Sequence, residues 1–281
     1  MYTTIISVEN LNNIIENNNL IIFDCRFNLL DKNLGYSEYI KSHIINSNYI
    51  DLESDLSCEV SEFSGRHPLQ DISKFSNMLN SYDIDENSQI VVYDEGNSSM
   101  CSRLWWMLKL IGLKNCAVLD GGYKAWKLKN MPTNNIVPNR YKKNKIQYDY
   151  NYDYLIDTKT LKNKLEKKST CLIDARDADR FSGKIEPIDK KAGHIPGAIN
   201  LPFKDNLDEN GFFKNKDELK KRFEKILKGN TNDVINMCGS GVTACHNFLA
   251  MEHCGIGLSK IYVGSWSAWS SYEDNKIEKE L

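Results

Sequence analysis

Short apolar runs alternate with longer stretches of helical period along the whole chain. "LIIFDCR" (20–26), "QIVVYDEGNSS" (89–99), "TCLIDAR" (170–176) and "DVINMCGSGVT" (233–243) each carry a continuous apolar run of strand length. Runs of that kind fit strands covered on both faces, as in a parallel sheet. "SRLWWMLKLIG" (102–112) and "DELKKRFEKILKG" (217–229) read as helices between them. Strands alternating with helices predict parallel α/β units.

The pattern is written twice. "LIIFDCR" is answered by "TCLIDAR", "SHIINSNYID" (42–51) by "GHIPGAINLP" (193–202), "QIVVYDEGNSS" by "DVINMCGSGVT", and "VLDGGYKAW" (118–126) by "IYVGSWSAW" (261–269). The order is kept at an offset of about 145–150 residues, the mark of an internal duplication. "NNIVPNRYKKNKIQYDYNYDY" (134–154) is polar and without a clear period, as a linker would be. The expected organisation is a first α/β domain over 1–134, a linker over 135–156 and a second domain over 157–281.

Composition removes several function classes. At 41% hydrophobic and 26% charged residues the chain has the makeup of an ordinary globular protein, and a net charge of −2 gives no reason to expect nucleic acid as a partner. No apolar run reaches the roughly 18–20 residues of a membrane span, and "MYTTIISVENLNNII" has neither a basic n-region nor an Arg-rich amphipathic pattern, so a cytoplasmic protein without a membrane partner is expected. The eight cysteines are scattered through a long chain and are expected as free thiols. Cys245, His246, His253 and Cys254 do not form a metal set, because adjacent helix positions do not share a face and no tight Cys-x2-Cys pair exists. Neither a metal nor a cofactor is expected.

The two copies differ where chemistry could reside. After the strand at 233–237 the chain continues "CGSGVTACH", whereas its twin continues "DEGNSSMC", so Asp94 stands where the second copy has Cys238. A strand-to-helix turn presents backbone N–H groups to one point and adds the positive end of a helix dipole, so it cradles an anion. A cysteine at its mouth has its thiolate favoured, and thiolate is the nucleophilic form. Gly239 and Gly241 allow φ > 0 and close approach of a ligand, and Thr243 can add a hydroxyl donor. A cysteine phosphatase loop would need an arginine in Cys-x5-Arg spacing to clamp phosphate, and that position holds Ala244. Arg26 and Arg176, each two residues after a strand-ending Asp, read as structural salt-bridge partners, and His43 and His194, at equivalent repeat positions, read as structural histidines.

These residues resemble the tandem rhodanese-domain sulfurtransferases over nearly the whole chain. "CGSGVTACH" is similar to the active loop of the 3-mercaptopyruvate sulfurtransferases, "GHIPGAIN", "DGGYKAW" and "YVGSWSAW" are similar to supporting family motifs, and "VVYDEGN" resembles the inactive-domain loop. The resemblance implies two tandem rhodanese-like domains, each a parallel sheet flanked by helices, with the second catalytic and the first forming a site wall. It implies a ping-pong reaction in which Cys238 takes sulfur from a small-molecule donor as a persulfide and passes it to a thiol acceptor such as thioredoxin, or to cyanide. By motif position, Arg180 in "DADRFSG" would grip the donor carboxylate. Gly239, Gly241, Val242 and Thr243 would line the donor, and Ser240 with His67 and Glu53 would form a proton relay. A second family arginine in an "EPR" segment has no counterpart in "IEPIDKKAGH", leaving Lys190 or Lys191 as the substitute. The neutral pair Gly239-Ser240 favours 3-mercaptopyruvate. The alternatives are a thiosulfate:cyanide sulfurtransferase and a catalytically silent rhodanese-like binding protein.

Overall fold

The computed structural model describes residues 1–281 except 83, 140–144, 228–232, 258 and 281. Part of the expected linker (140–144) and the end of the expected helix at 217–229 therefore lie outside the described residues. The chain divides into two units. Unit 1 is Met1–Cys58, Gln70–Asn151 and Glu209–Phe213, and unit 2 is Glu59–Leu69, Tyr152–Asp208 and Lys214–Leu281.

Unit 1 contains β1 (Ile5–Ile6), β2 (Leu20–Asp24), β3 (His43–Ile44), β4 (Ser47–Tyr49), β5 (Gln89–Tyr93), β6 (Cys116–Leu119) and β7 (Thr133–Asn134). Its helices are α1 (Val8–Ile14), α2 (Leu34–Lys41), α3 (Ile72–Leu79), α4 (Cys101–Leu110) and α5 (Gly122–Leu128). Five strands form a parallel sheet in the order β1-β6-β5-β2-β4. β3 lies outside it and pairs antiparallel with β7, His43 opposite Asn134.

Unit 2 contains β8 (Leu155–Ile156), β9 (Cys171–Asp174), β10 (Ile199–Asn200), β11 (Val234–Met237) and β12 (Lys260–Tyr262). With them run α6 (Thr158–Glu166), α7 (Ala178–Phe181), α8 (Lys216–Leu227), α9 (Ala244–His253) and α10 (Ser265–Trp269). Its parallel sheet runs β8-β12-β11-β9-β10, the same order as in unit 1 strand for strand. Even the small antiparallel closure recurs, as a single bridge between His194 and Glu278. β8 falls within the last two residues of the stretch the sequence reads as linker, and it is the edge strand of this sheet.

Register carries the strand-ending Asp-x-Arg pairs to the carboxyl end of each sheet. Asp24 lies opposite Tyr93, and Asp174 lies opposite Met237, the residue before Cys238. Each Asp is buried and bound by the Arg two residues on, Arg26 Nη2 to Asp24 Oδ2 and Arg176 Nη2 to Asp174 Oδ2 both at 2.7 Å. The guanidinium groups stack on the rings of Tyr123 and Trp266 at 4.2 and 4.6 Å, which ties the strand ends to α5 and α10. His43 and His194 are buried, each with Nδ1 on the carbonyl of a preceding helical residue, Tyr39 or Phe181, and each stacked on that ring. Both pairs hold the frame together, as expected from the sequence.

The helices that leave the two loops are buried nearly all round. Every residue of α4 but Lys109 is buried, as are eight of the ten in α9, the pattern of a helix enclosed by its own domain. α8 is the amphipathic contrast, burying Leu219, Phe223 and Leu227 along one stripe. A helix fixed on all sides gives the loop at its N-terminus an immobile base.

Candidate active site

Cys238 begins the turn between β11 and α9 and is 2% exposed. The N–H of Gly241 donates to its Sγ at 3.2 Å, so the sulfur sits inside the turn formed by its own loop. Gly241 has φ +76°, and a Cβ there would run into the Val263 carbonyl oxygen. Both the dihedral and the close approach require glycine. Val242 is buried, and its carbonyl accepts the Cys245 N–H at 3.1 Å. Thr243 occupies the N-cap of α9 without a side-chain capping bond.

The loop is held from the strand-to-helix turn after β12. The Trp266 N–H donates to the Cys238 carbonyl and the Ser267 N–H to that of Gly239, each at 2.9 Å. Ser265 adopts φ +52°, unusual outside glycine, and its Oγ accepts the Cys238 N–H at 3.1 Å while donating to the Tyr262 carbonyl at 2.8 Å. In unit 1 the equivalent position is Gly122 (φ +56°), and the pattern repeats with the Tyr123 and Lys124 N–H groups on the Asp94 and Glu95 carbonyls at 2.9 Å. The "DGGYKAW" and "VGSWSAW" motifs are the clamps that fix the loops. Nothing in the composition of its own motif marks Ser265. The signal available was Gly122 at the matching place in the twin.

Unit 1 displays what this type of loop does with an anion. The Asp94 carboxylate accepts the N–H groups of Gly96, Ser98 and Met100 at 3.0, 3.0 and 2.9 Å, with Cys101 at 3.4 Å. Burial raises the Asp94 pKa, and these four amides work against that rise. The neighbouring thiols of Cys25 and Cys101 are pushed well up, first by burial and then by nearby aspartates. The first copy is therefore a cup already filled by its own side chain, and these two thiols are held as S–H.

Ser240 and His67 meet within unit 2, Ser240 Oγ to His67 Nδ1 at 2.8 Å, with both residues buried. The segment bearing His67 belongs to unit 2 although Gln70–Asn151 of unit 1 follows it in sequence. Glu53 belongs to unit 1, where its carboxylate pairs with Lys32 at 2.7 Å and its N–H donates to Asp51.

Arg180, on α7, donates from Nη2 to Glu186 Oε1 at 2.7 Å and to Asp189 Oδ2 at 3.1 Å. A second arginine, Arg66, binds Asp189 Oδ1 through Nη1, while its N–H donates to Ser267 Oγ at 3.1 Å. The Asp189 carboxylate thus bridges two guanidinium groups. Burial raises its pKa even so, with the Glu186 charge adding to the rise. For Glu186, burial disfavours the charge, but Arg180 and the N–H groups of Asp189 and Ile188 outweigh it and the pKa lies below the ordinary carboxylate range. Both guanidinium groups front Gly239, where a Cβ would stand 2.9 Å from Arg66 Nη2 and 3.3 Å from Arg180 Nη1. Glycine directly after the cysteine keeps that space open. Of the two lysines considered as a replacement cation, Lys190 is exposed and Lys191 donates to the Tyr272 carbonyl at 3.1 Å. Trp266 is fully buried, with Nε1 on the Lys191 carbonyl, and belongs to the core. Among the described residues no cluster of three or more His, Cys, Asp or Glu is placed to hold a metal ion, and no helix is long and apolar enough to cross a membrane.

The rhodanese-like domain family model matches the chain twice, over residues 7–129 and 157–272. The chain is 39% identical over 253 residues to a probable 3-mercaptopyruvate sulfurtransferase of Pseudomonas aeruginosa, covering 89% of each chain. It is 32% identical over 253 residues to a putative thiosulfate sulfurtransferase of Mycobacterium tuberculosis, covering 89% of this chain and 87% of that one. Among solved structures it is similar to the 3-mercaptopyruvate sulfurtransferase from Leishmania major, with TM-score 0.84 and 26% identity over 95% of this chain and 74% of the other. Two domain matches in tandem, the same strand order in both units and the relatives on both sides of the donor divide place the chain in one family: it belongs to the tandem rhodanese-domain sulfurtransferases.

Proposed function

We propose that the chain is a 3-mercaptopyruvate sulfurtransferase with Cys238 as its nucleophile. The observation that carries this reading is the turn in which the Gly241 N–H points at the Cys238 sulfur, next to a Ser240–His67 pair and in front of two guanidinium groups. The Cys238 thiolate attacks the donor sulfur. The S–S bond forms as the C–S bond of 3-mercaptopyruvate breaks, and the electron pair leaves on carbon as the enolate of pyruvate. The donor's thiol proton, relayed through Ser240 and His67, returns to that carbon. The relay is proposed from the hydrogen-bonded pair Ser240 and His67, with Glu53, whose partly exposed carboxylate pairs with Lys32, as its acidic member. The Gly241 N–H stays on the inner sulfur when the persulfide forms, and the charged outer sulfur is left toward the acceptor. An acceptor thiolate, such as a thioredoxin cysteine, or cyanide, then attacks the outer sulfur and restores Cys238. A cytoplasmic setting, where thiols stay reduced, suits that second step.

The relatives include a putative thiosulfate sulfurtransferase, which keeps the thiosulfate donor as the second reading. Against it, the two loop residues after Cys238 are neutral and add no charge for a dianion. Intact-mass spectrometry after exposure to 3-mercaptopyruvate is expected to show a gain of one sulfur atom in the wild type and none in Cys238→Ser. A higher kcat/KM for thiosulfate than for 3-mercaptopyruvate would replace the first reading by the second, and the absence of any sulfur gain with either donor would leave a binding protein.

A further inference from the structure

The "EPR" arginine expected from the resemblance is Ile188 in this chain, half exposed and apolar, so a donor carboxylate that relies on two guanidinium groups lacks one. Neither nearby lysine is turned to that duty. Lys191 is on the Tyr272 carbonyl and Lys190 faces solvent. Arg66 reaches the same place from another segment of unit 2. Its backbone is fixed to Ser267 in the clamp that also holds Gly239, and its Nη1 end is fixed by the Asp189 carboxylate it shares with Arg180. Both anchors leave Nη2 turned to Gly239, beside Arg180 Nη1. The Nε of Arg66 is buried and has no hydrogen-bond partner, which is costly for a guanidinium unless something else compensates it.

We infer that Arg66 is a specificity residue of the donor site, pairing with Arg180 to hold the carboxylate of a 2-oxo acid thiol above Gly239. The inference rests on the 3-mercaptopyruvate reading and deepens it. With Asp189 and Glu186 holding their other ends, Arg66 Nη2 and Arg180 Nη1 stand together at Gly239 as two charged N–H donors, one for each oxygen of a carboxylate, which a single lysine does not match. Asp189 is then the positioning residue that sets the distance between the two forks while leaving one nitrogen of each for the ligand. The arrangement selects the carboxylate end of the donor, and the neutral loop receives its sulfur end.

The test compares two alkylating reagents at Cys238, iodoacetate and iodoacetamide, which form the same S–C bond with loss of iodide and differ in the carboxylate. In full-length Arg66→Met the ratio of the iodoacetate rate to the iodoacetamide rate is expected to fall about fivefold or more. The KM for 3-mercaptopyruvate is expected to rise about tenfold, with kcat within about threefold, as for loss of one charge-assisted pair. An unchanged ratio, or equal slowing with both reagents, would mean that Arg66 only packs the loop, and overturns the assignment. Should Arg66→Met not fold, Arg66→Lys carries the same test with a smaller drop, and an unchanged ratio there also overturns it. The alkylation ratio needs no sulfur donor. A wild type that turns over no 3-mercaptopyruvate but shows the Arg66-dependent ratio therefore rejects the proposed reaction while keeping the anion site.

Discussion

At the scale of single residues, the loop depends on two backbone positions that no ordinary side chain tolerates well. Gly241→Ala places a Cβ at φ +76° against the Val263 carbonyl oxygen. The dihedral alone costs about 1–2 kcal/mol, and the clash forces the loop to shift. The expected outcome is a lower urea midpoint together with loss of sulfur loading by Cys238. Ser265 tests the same idea from the other direction, because it holds φ +52° for the sake of one hydroxyl that accepts the Cys238 N–H. Ser265→Ala keeps the strained backbone and orphans a buried N–H, at a cost of about 1–3 kcal/mol. Ser265→Gly loses the same bond but relieves the dihedral, so it should be the more stable of the two, as read by denaturant unfolding. Equal stabilities would show that the left-handed backbone carries no strain.

At the scale of elements, the turns after β5 and β11 are one design filled in two ways, with four N–H groups on the Asp94 carboxylate and the Gly241 N–H on the Cys238 sulfur. Asp94 closes one cup with a carboxylate, and Cys238 places sulfur in the other. The helix behind the second cup also carries a pH signature. His253 lies in the last turn of α9, where a cation would ordinarily suit the helix dipole. Burial, helped by the Lys216 charge, lowers its pKa instead from 6.5 to about 4. Between those values the unfolded chain takes up a proton that the folded chain refuses. His253 therefore costs stability progressively as pH falls from neutrality toward about 4 and adds no further loss below it. His253→Gln is expected to show a smaller drop in Tm between pH 7 and pH 5 than the wild type, and an equal drop would assign the acid sensitivity to other groups.

At the scale of the whole molecule, each compact unit takes residues from both halves of the sequence. Unit 2 owns Glu59–Leu69, which brings Arg66 and His67 to Asp189 and Ser240, and unit 1 owns Glu209–Phe213, where the Phe213 N–H donates to Asp120 at 2.9 Å. A chain cut to residues 152–281 keeps the second sheet, Cys238 and Arg180 but lacks Arg66 and His67. Such a fragment is expected to load sulfur from 3-mercaptopyruvate far more slowly than the full chain, even where far-UV circular dichroism shows it folded. Loading at the full-length rate would remove both residues from the proposed reaction.

The sequence by itself determined the duplication, the parallel α/β class, the loop with Cys238 and the Asp94 that stands in its place in the twin. All of these rest on local order: apolar period, turn residues, and motifs that recur at a fixed offset. It also marked Arg26, Arg176, His43 and His194 as parts of the frame, because residues repeated in both copies serve what the copies share. Only the tertiary structure decided that Arg66 stands beside Arg180, that Asp189 joins them, that β8 is a strand and that Ser265 holds the Cys238 amide. Arg66 and Asp189 are 123 positions apart, and nothing in the spacing of either motif encodes their meeting. Periodicity reports which face of an element is buried. Which charged groups meet at the end of a sheet depends on how distant segments are brought together, and a linear pattern does not contain that information.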